Sequence, residues 1–164
     1  MNESDTIRIE IASTATEEVR ALVDELETLL SAAYPPEQRH GLTLDAIFQP
    51  HIRFFLARLR GAVVGCGGVA LFSDFAEVKR MYVRDAARGQ GVADVILTRI
   101  EQEVRDAGIS LLRLETGVHQ VAAMRFYARA GFRHCQAFGA YTMMPPHAIA
   151  TSVFFEKRVG LPAA

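Results

Sequence analysis

Cysteine is scarce. Of the 164 residues only Cys66 and Cys135 carry thiols; both sit in apolar surroundings and lack CxxC spacing. Nothing here suggests a disulfide framework, and a reduced, cytoplasmic setting is the expectation. Charge of one sign is scarce as well, since 18 lysines and arginines stand against 19 acidic residues. That balance supplies no extended basic field, so nucleic acid is not an expected partner. Long apolar runs are missing: the richest stretch, residues 62–72, holds three glycines and falls short of the roughly 20 residues that cross a bilayer. The start Met1-Asn2-Glu3-Ser4-Asp5 is acidic and polar where a signal peptide is basic and then apolar, so a soluble protein with no membrane partner is expected. His40, His51, His134 and His147 share no metal-ligand spacing, and no metal is expected. Without internal repeat, charge block or low-complexity linker, residues 1–164 read as one domain of ordinary size.

What is present is enough apolar residue for a core, 50% of the chain with 23% charged. Ile7, Ile9 and Ile11 alternate as on a half-buried strand. Val19, Leu22, Val23, Leu26, Leu29, Leu30 and Ala33 then recur at helical spacing, with Thr14 or Thr16 as cap and Pro35-Pro36 as stop. Residues 38–49 read as a loop with at most a short helix. Strand-like runs over 53–60, 62–72 and 76–83, broken at Gly61 and Ser73-Asp74, predict an antiparallel meander. A helix from Val92 to Ala107 is ended by Gly108, followed by a buried strand over 109–114. A helix over 120–130 and closing strands over 132–138 and 152–159 complete a mixed α/β (α+β) order.

The segment Val83 to Ala93 is the most informative. It joins a strand to a helix, and Gly89 and Gly91 let a ligand approach the main chain where first-turn N–H groups point outward unsatisfied. An anion such as a diphosphate fits there, and Arg88 adds a cation beside it. Two familiar nucleotide sites are excluded by context. Gly65-Cys66-Gly67-Gly68 continues as strand with no helix opening after it, and Gln90-Gly91-Val92 is not the GK[ST] end of a P-loop.

Arg88-Gly89-Gln90-Gly91-Val92-Ala93 resembles the acetyl-CoA motif of the GNAT superfamily of N-acetyltransferases, Q/R-x-x-G-x-G/A, matching at Arg88, Gly91 and Ala93. Gln120, Ala123, Tyr127, Gly131 and Phe132 resemble the family's second helix motif, with glutamine where asparagine is common. The resemblance implies the GNAT fold: a central, mixed but mostly antiparallel sheet of six to seven strands flanked by about four helices. It implies acetyl-CoA in a V-shaped opening between the strand ending at Val83 and the strand 109–114. Main-chain groups of Met81, Tyr82 and Val83 would hold the pantetheine, the amides of Arg88, Gly89, Gln90, Gly91, Val92 and Ala93 the diphosphate, with Gln120 near the cofactor.

An alkyl amine is neutral in only about one molecule in 2,500 at pH 7, which is worth roughly 4.6 kcal/mol. By resemblance Glu77 takes its proton, through water since an ordinary carboxylate is a weak base; on the residues alone, Glu77 is equally an exposed strand residue paired with Lys79. Tyr127 resembles the family's general acid for the departing thiolate, acting as an acid or as a hydrogen-bond donor to sulfur; otherwise it is a core tyrosine. Lys79, Arg80 and Arg84 form a small basic group that reads as a solvated face or as a contact for an anion. Residues 34–49 and 137–150, with Phe138, Tyr141, Met143 and Met144, are the expected acceptor lining. The expected activity is N-acetylation of a primary amine of a small molecule or amino acid in a ternary complex. The competing readings are an acyl-CoA binding or sensing domain without catalysis, and a phosphate site for another nucleotide. A homodimer through Phe154-Phe155 is also open at this point.

Overall fold

The computed structural model describes residues 5–160. Seven strands form one sheet: β1 (Arg8–Ile11), β2 (Ile52–Leu59), β3 (Ala62–Leu71), β4 (Ala76–Val83), β5 (Leu111–Gly117), β6 (Arg133–Cys135) and β7 (Ser152–Arg158). Three α-helices accompany them, α1 (Glu17–Ala33), α2 (Val92–Asp106) and α3 (Val121–Arg129). The fourth expected helix is replaced by single 3-10 turns at Pro36–Gln38 and Ala46–Phe48, because Pro35 and Pro36 end the helical ladder and no apolar period follows. The predicted element order holds throughout. The spatial order is β1-β2-β3-β4-β5-β7-β6, with β7 inserted between β5 and β6. Every neighbouring pair is antiparallel except β4 with β5.

Local chemistry explains the boundaries. Thr16 caps α1 by accepting the Val19 N–H at 3.3 Å, as Thr14 does not. The β2–β3 hairpin turns through Arg60 and Gly61, both at positive φ, the backbone that matches strand twist in a two-residue turn. α2 ends at Gly108, again at positive φ. Two cores lie on opposite faces of the sheet. Phe55, Val69 and Phe155 pack with Ile96 and Ile100 of α2 and with α3, whereas Phe54, Leu56 and Cys66 pack with Val19, Leu22 and Val23 of α1. Phe154 and Phe155, for which the sequence leaves interface and core packing open, are both buried in the chain's own core. Cys135 is half-buried rather than buried, because β6 is a three-residue edge strand.

Two irregularities shape the middle of the sheet. Opposite Gly67, β4 carries an extra residue: Cys66 pairs with Tyr82 but Gly68 with Lys79, so Arg80 and Met81 face a single residue of β3. Arg80 sits at φ 52. The second irregularity is that β4 and β5 pair only at Ala76–Leu112 and Glu77–Arg113, although both strands run on for six and four further residues by their bounds. The sheet therefore splits open beyond Glu77. Tyr34, at the end of α1, spans the far side of the split, accepting the His119 N–H at 2.9 Å and donating to Gln120 Oε1 at 3.1 Å.

A Cβ on Gly117 would overlap the Tyr34 phenol. Gly117→Ala is therefore expected to displace Tyr34, strand the His119 amide and lose about 1–3 kcal/mol, read as a lower urea midpoint at unchanged slope. A midpoint equal to that of the unsubstituted chain would show that the phenol does not tie this corner.

Candidate active site

Because the sheet is split between β4 and β5, side chains reach the opening from both faces. From the α1 face come Glu77 and Lys79 of β4 and Glu115 of β5; from the α2 face comes Tyr127 of α3. Alternation accounts for the β5 residues: Leu112 and Leu114 are buried in the main core, which turns Arg113 and Glu115 to the other side. The opening encloses about 130 Å³.

Glu77 is 5% exposed. Its Oε2 accepts the Tyr141 hydroxyl at 2.6 Å and pairs with Lys79 Nζ at 2.9 Å, while Lys79 also reaches the Tyr141 oxygen at 3.2 Å. The Glu77–Lys79 pairing read from the sequence is present, but in the wall of the opening and not on an exposed face. Glu115 was not singled out from sequence, where the strand was ended at Leu114; the apolar alternation of Leu112 and Leu114 was the signal that it continued. Glu115 Oε2 accepts the Ser152 hydroxyl at 2.6 Å, and among the described residues no lysine or arginine pairs with it. Burial pushes its pKa above the ordinary glutamate value, with the Ser152 hydrogen bond opposing that rise.

Tyr127 is 5% exposed, and burial alone pushes its pKa well above that of an ordinary tyrosine. Its hydroxyl has no protein hydrogen-bond partner among the described residues, yet the side chain lines the opening. It is thus a neutral donor facing free space. Gln120 lies at the start of α3 with its carbonyl oxygen already taken by Tyr34.

At the β4–α2 junction, Gly89 and Gly91 adopt φ 77 and 83, and a Cβ on either would meet no neighbour. Their requirement is conformational and the space beside them is open. Gly91 is the N-cap of α2 and no side chain among the described residues caps the helix, so the first-turn amides beginning at Val92 and Ala93 keep their donors. Arg88 Nε and Gln90 Nε2 fold back onto the Val83 and Ala86 carbonyls, and Arg88 also pairs with Asp85. The basic group read from sequence is spoken for: Lys79 by Glu77, Arg80 by Glu27 and Arg84 by Glu25 in a two-point contact. Arg80 and Arg84 are held by the acidic face of α1 and Lys79 by its β4 neighbour Glu77, while Arg80 Nη1 keeps a buried donor with no partner among the described residues. Of the expected acceptor lining, Tyr141 and Met144 do face a cavity, Phe138 is core, and Met143 is 87% exposed. Among the described residues no cluster of three or more histidine, cysteine or acidic groups could hold a metal, and no helix is long and apolar enough to cross a membrane.

Three comparisons bear on this arrangement. Residues 20–132 match the model of the acetyltransferase (GNAT) family. The IAA acetyltransferase of Azospirillum brasilense is 43% identical over 138 residues, 83% of this chain and 87% of that one. A Klebsiella pneumoniae protein crystallised as a candidate acyl-CoA N-acyltransferase superposes with a TM-score of 0.75 at 29% identity, covering 95% of this chain and 99% of its own. The PaiA N-acetyltransferase of Thermoplasma acidophilum, crystallised with coenzyme A, shares the fold at a TM-score of 0.65 and 16% identity, over 92% and 99% of the two chains.

The raised pKa of Glu115 has a stability consequence whose sign is definite. A carboxyl harder to ionise in the folded than in the unfolded chain favours folding at low pH, and that advantage is lost as pH rises through its folded value. Glu115→Gln removes the ionisable group. The variant is expected to be more stable than the unsubstituted chain at pH 8 and to lose that margin toward pH 4, measured by denaturant titration at both pH values. An equal difference at both would mean that Glu115 is not desolvated.

Proposed function

Because the chain belongs to the acetyltransferase (GNAT) family, we propose that it transfers the acetyl group of acetyl-CoA to the primary amine of a small molecule or amino acid, by direct attack with both substrates bound. The observation that carries this reading is the split between β4 and β5, which leaves β4 main chain unpaired from Val78 to Val83 on its β5 side and ends at the uncapped start of α2. An extended pantetheine pairs there with Met81, Tyr82 and Val83 as an added strand would. The diphosphate takes the amides of the Gly89–Ala93 turn, whose open space and free donors suit an anion. Arg88, Gln90 and Gly91 shape that turn through their backbone and local hydrogen bonds, and Gln120 borders the same opening.

In the transfer, the amine nitrogen forms a bond to the thioester carbonyl carbon and the carbon–sulfur bond breaks. The proton lost from nitrogen goes to a carboxylate. Glu77, the residue suggested by resemblance, already carries two donors on Oε2 and orients the wall. Glu115 has a single hydroxyl partner and a pKa raised toward neutrality's side, so it is the better proton acceptor. Tyr127 faces the departing sulfur. With a phenol even harder to ionise than usual, it stabilises the thiolate by donating a hydrogen bond more readily than by giving up its proton, since a thiol's reference pKa is only about 8.5.

Coenzyme A at about 100 times its Kd is expected to add about 2.7 kcal/mol, which raises Tm by several degrees where ATP and NAD do not; a larger shift with ATP would overturn the cofactor assignment. Tyr127→Phe is expected to lower kcat on the order of a hundredfold with coenzyme A affinity unchanged. The acidic limb of the kcat/KM profile should lie above the ordinary glutamate range, because the deprotonated carboxylate is the active form, and should vanish in Glu115→Gln. Persistence of that limb in Glu115→Gln and its loss in Glu77→Gln would return the role to Glu77.

A further inference from the structure

A second chamber adjoins the opening and shares His40, Gly41, Glu77, Lys79 and Tyr141 with it. It encloses about 440 Å³, within the size of small-molecule pockets. Away from that shared side, where the polar groups are, its walls are apolar apart from His51: Leu42 from the α1–β2 connection, Ile52 of β2, Ala70 of β3, Phe72 and Phe75 of the β3–β4 turn, and Met144 from the segment before β7. The aromatic faces are mutually braced, with Phe72 5.0 Å from Phe75 and 5.6 Å from His51 between ring centroids. None of the residues in this chamber adds a carboxylate beyond Glu77.

Counting unpaired carboxylates then limits the ligand. Two acidic residues line the opening and the chamber together, Glu77 and Glu115. Glu77 is neutralised by Lys79 at 2.9 Å; Glu115 has only the Ser152 hydroxyl. The site thus offers one carboxylate with no ion-pair partner among the described residues, next to an apolar cavity and in an opening that Arg39, Lys79 and Arg80 also line. An ammonium group without a partner is costly to strip of water, whereas an apolar ring gains by leaving it.

Resting on the transfer reading above, we propose that the acceptor is a monoamine with a compact aryl or branched apolar body, which occupies the chamber of Leu42, Phe72, Phe75 and Met144 while its amine meets Glu115. Polycationic amines are poor ligands, because each further ammonium would face apolar walls with no free carboxylate. Phe72, at the mouth and 41% exposed, sets this preference and can be changed with little effect on folding.

The test measures binding and transfer separately on the full chain saturated with coenzyme A or acetyl-CoA. By calorimetry, phenethylamine is expected to bind at least about tenfold more tightly than spermidine, and Phe72→Glu, which adds the missing carboxylate, to narrow or invert that ratio. Spermidine binding as tightly as phenethylamine, or a ratio unmoved by Phe72→Glu in a variant of unchanged Tm, would overturn the acceptor class. Thiol release from acetyl-CoA reports the transfer reading: phenethylamine that binds but releases no thiol would sink that reading and leave the chamber's preference standing.

Discussion

The extra residue in β4 is the constraint on which the rest depends. A regular β4 would keep its alternation with β3 to the end and send Lys79 and Arg80 to opposite faces. With Arg80 at φ 52 and two residues set against Gly67, Lys79 and Arg80 instead lie on the α1 face, Met81 and Val83 pack into the α2 core, and Tyr82 returns to α1. Left-handed backbone costs a non-glycine residue about 1–2 kcal/mol, so something must hold it. Arg80 donates to the Leu42 carbonyl at 2.8 Å and pairs with Glu27 at 2.9 Å, while its own carbonyl accepts the Cys66 thiol at 3.3 Å. Burial pushes that thiol up to about 12, which keeps the proton on sulfur. Gly41 leaves room for the guanidinium, since a Cβ there would overlap it.

The same anchoring sets the charge of the site. α1 spends Glu18 on Arg58, Glu25 on Arg84, and Glu27 on both Arg39 and Arg80. Of these arginines only Arg39 and Arg80 line the opening, and they share the single carboxylate of Glu27. The carboxylates of the opening differ in turn: Glu77 is paired with Lys79, and Glu115 has no ion-pair partner among the described residues. In the proposed reading the cleft takes its ligands through main-chain amides and shape more than through a charged patch. The uncapped α2 start and the apolar second chamber supply those two elements.

Where glycine or proline punctuates the chain, sequence and structure agree closely. β4 spans Ala76–Val83 as predicted, α2 begins at Val92 right after the glycine turn, and the hairpin falls at Gly61. These are positions where backbone chemistry decides and few alternatives compete. The positions left open or missed are those where packing decides. Glu115 was lost because the strand was ended at its last buried leucine, whereas β5 continues to Gly117 along β7. Phe154 and Phe155 alternate to opposite faces of β7, one into each of two clusters, which a pair of adjacent aromatics does not reveal. The fates of Lys79, Arg80 and Arg84 depend on carboxylates more than 50 residues away for two of the three, beyond the reach of any local pattern.

In the proposed transfer, Glu115 and Tyr127 carry the remaining step. Both are desolvated, both have their pKa moved upward by burial, and neither is fully satisfied by the protein. For stability alone each is a poor choice, since a part-buried carboxyl without an ion pair and an unpartnered phenol would be better replaced by apolar groups of the same shape. They stand on elements of opposite faces, β5 turned toward α1 and α3 packed with α2, and meet only because the sheet is split between them. That placement suits a reaction in which a proton leaves nitrogen on one side while negative charge builds on sulfur at the other, for which donors and acceptors already in position need no reorganisation. A sheet closed by full β4–β5 pairing would bury neither group at a common cavity, so the irregular strand and the two ill-satisfied side chains are parts of a single arrangement.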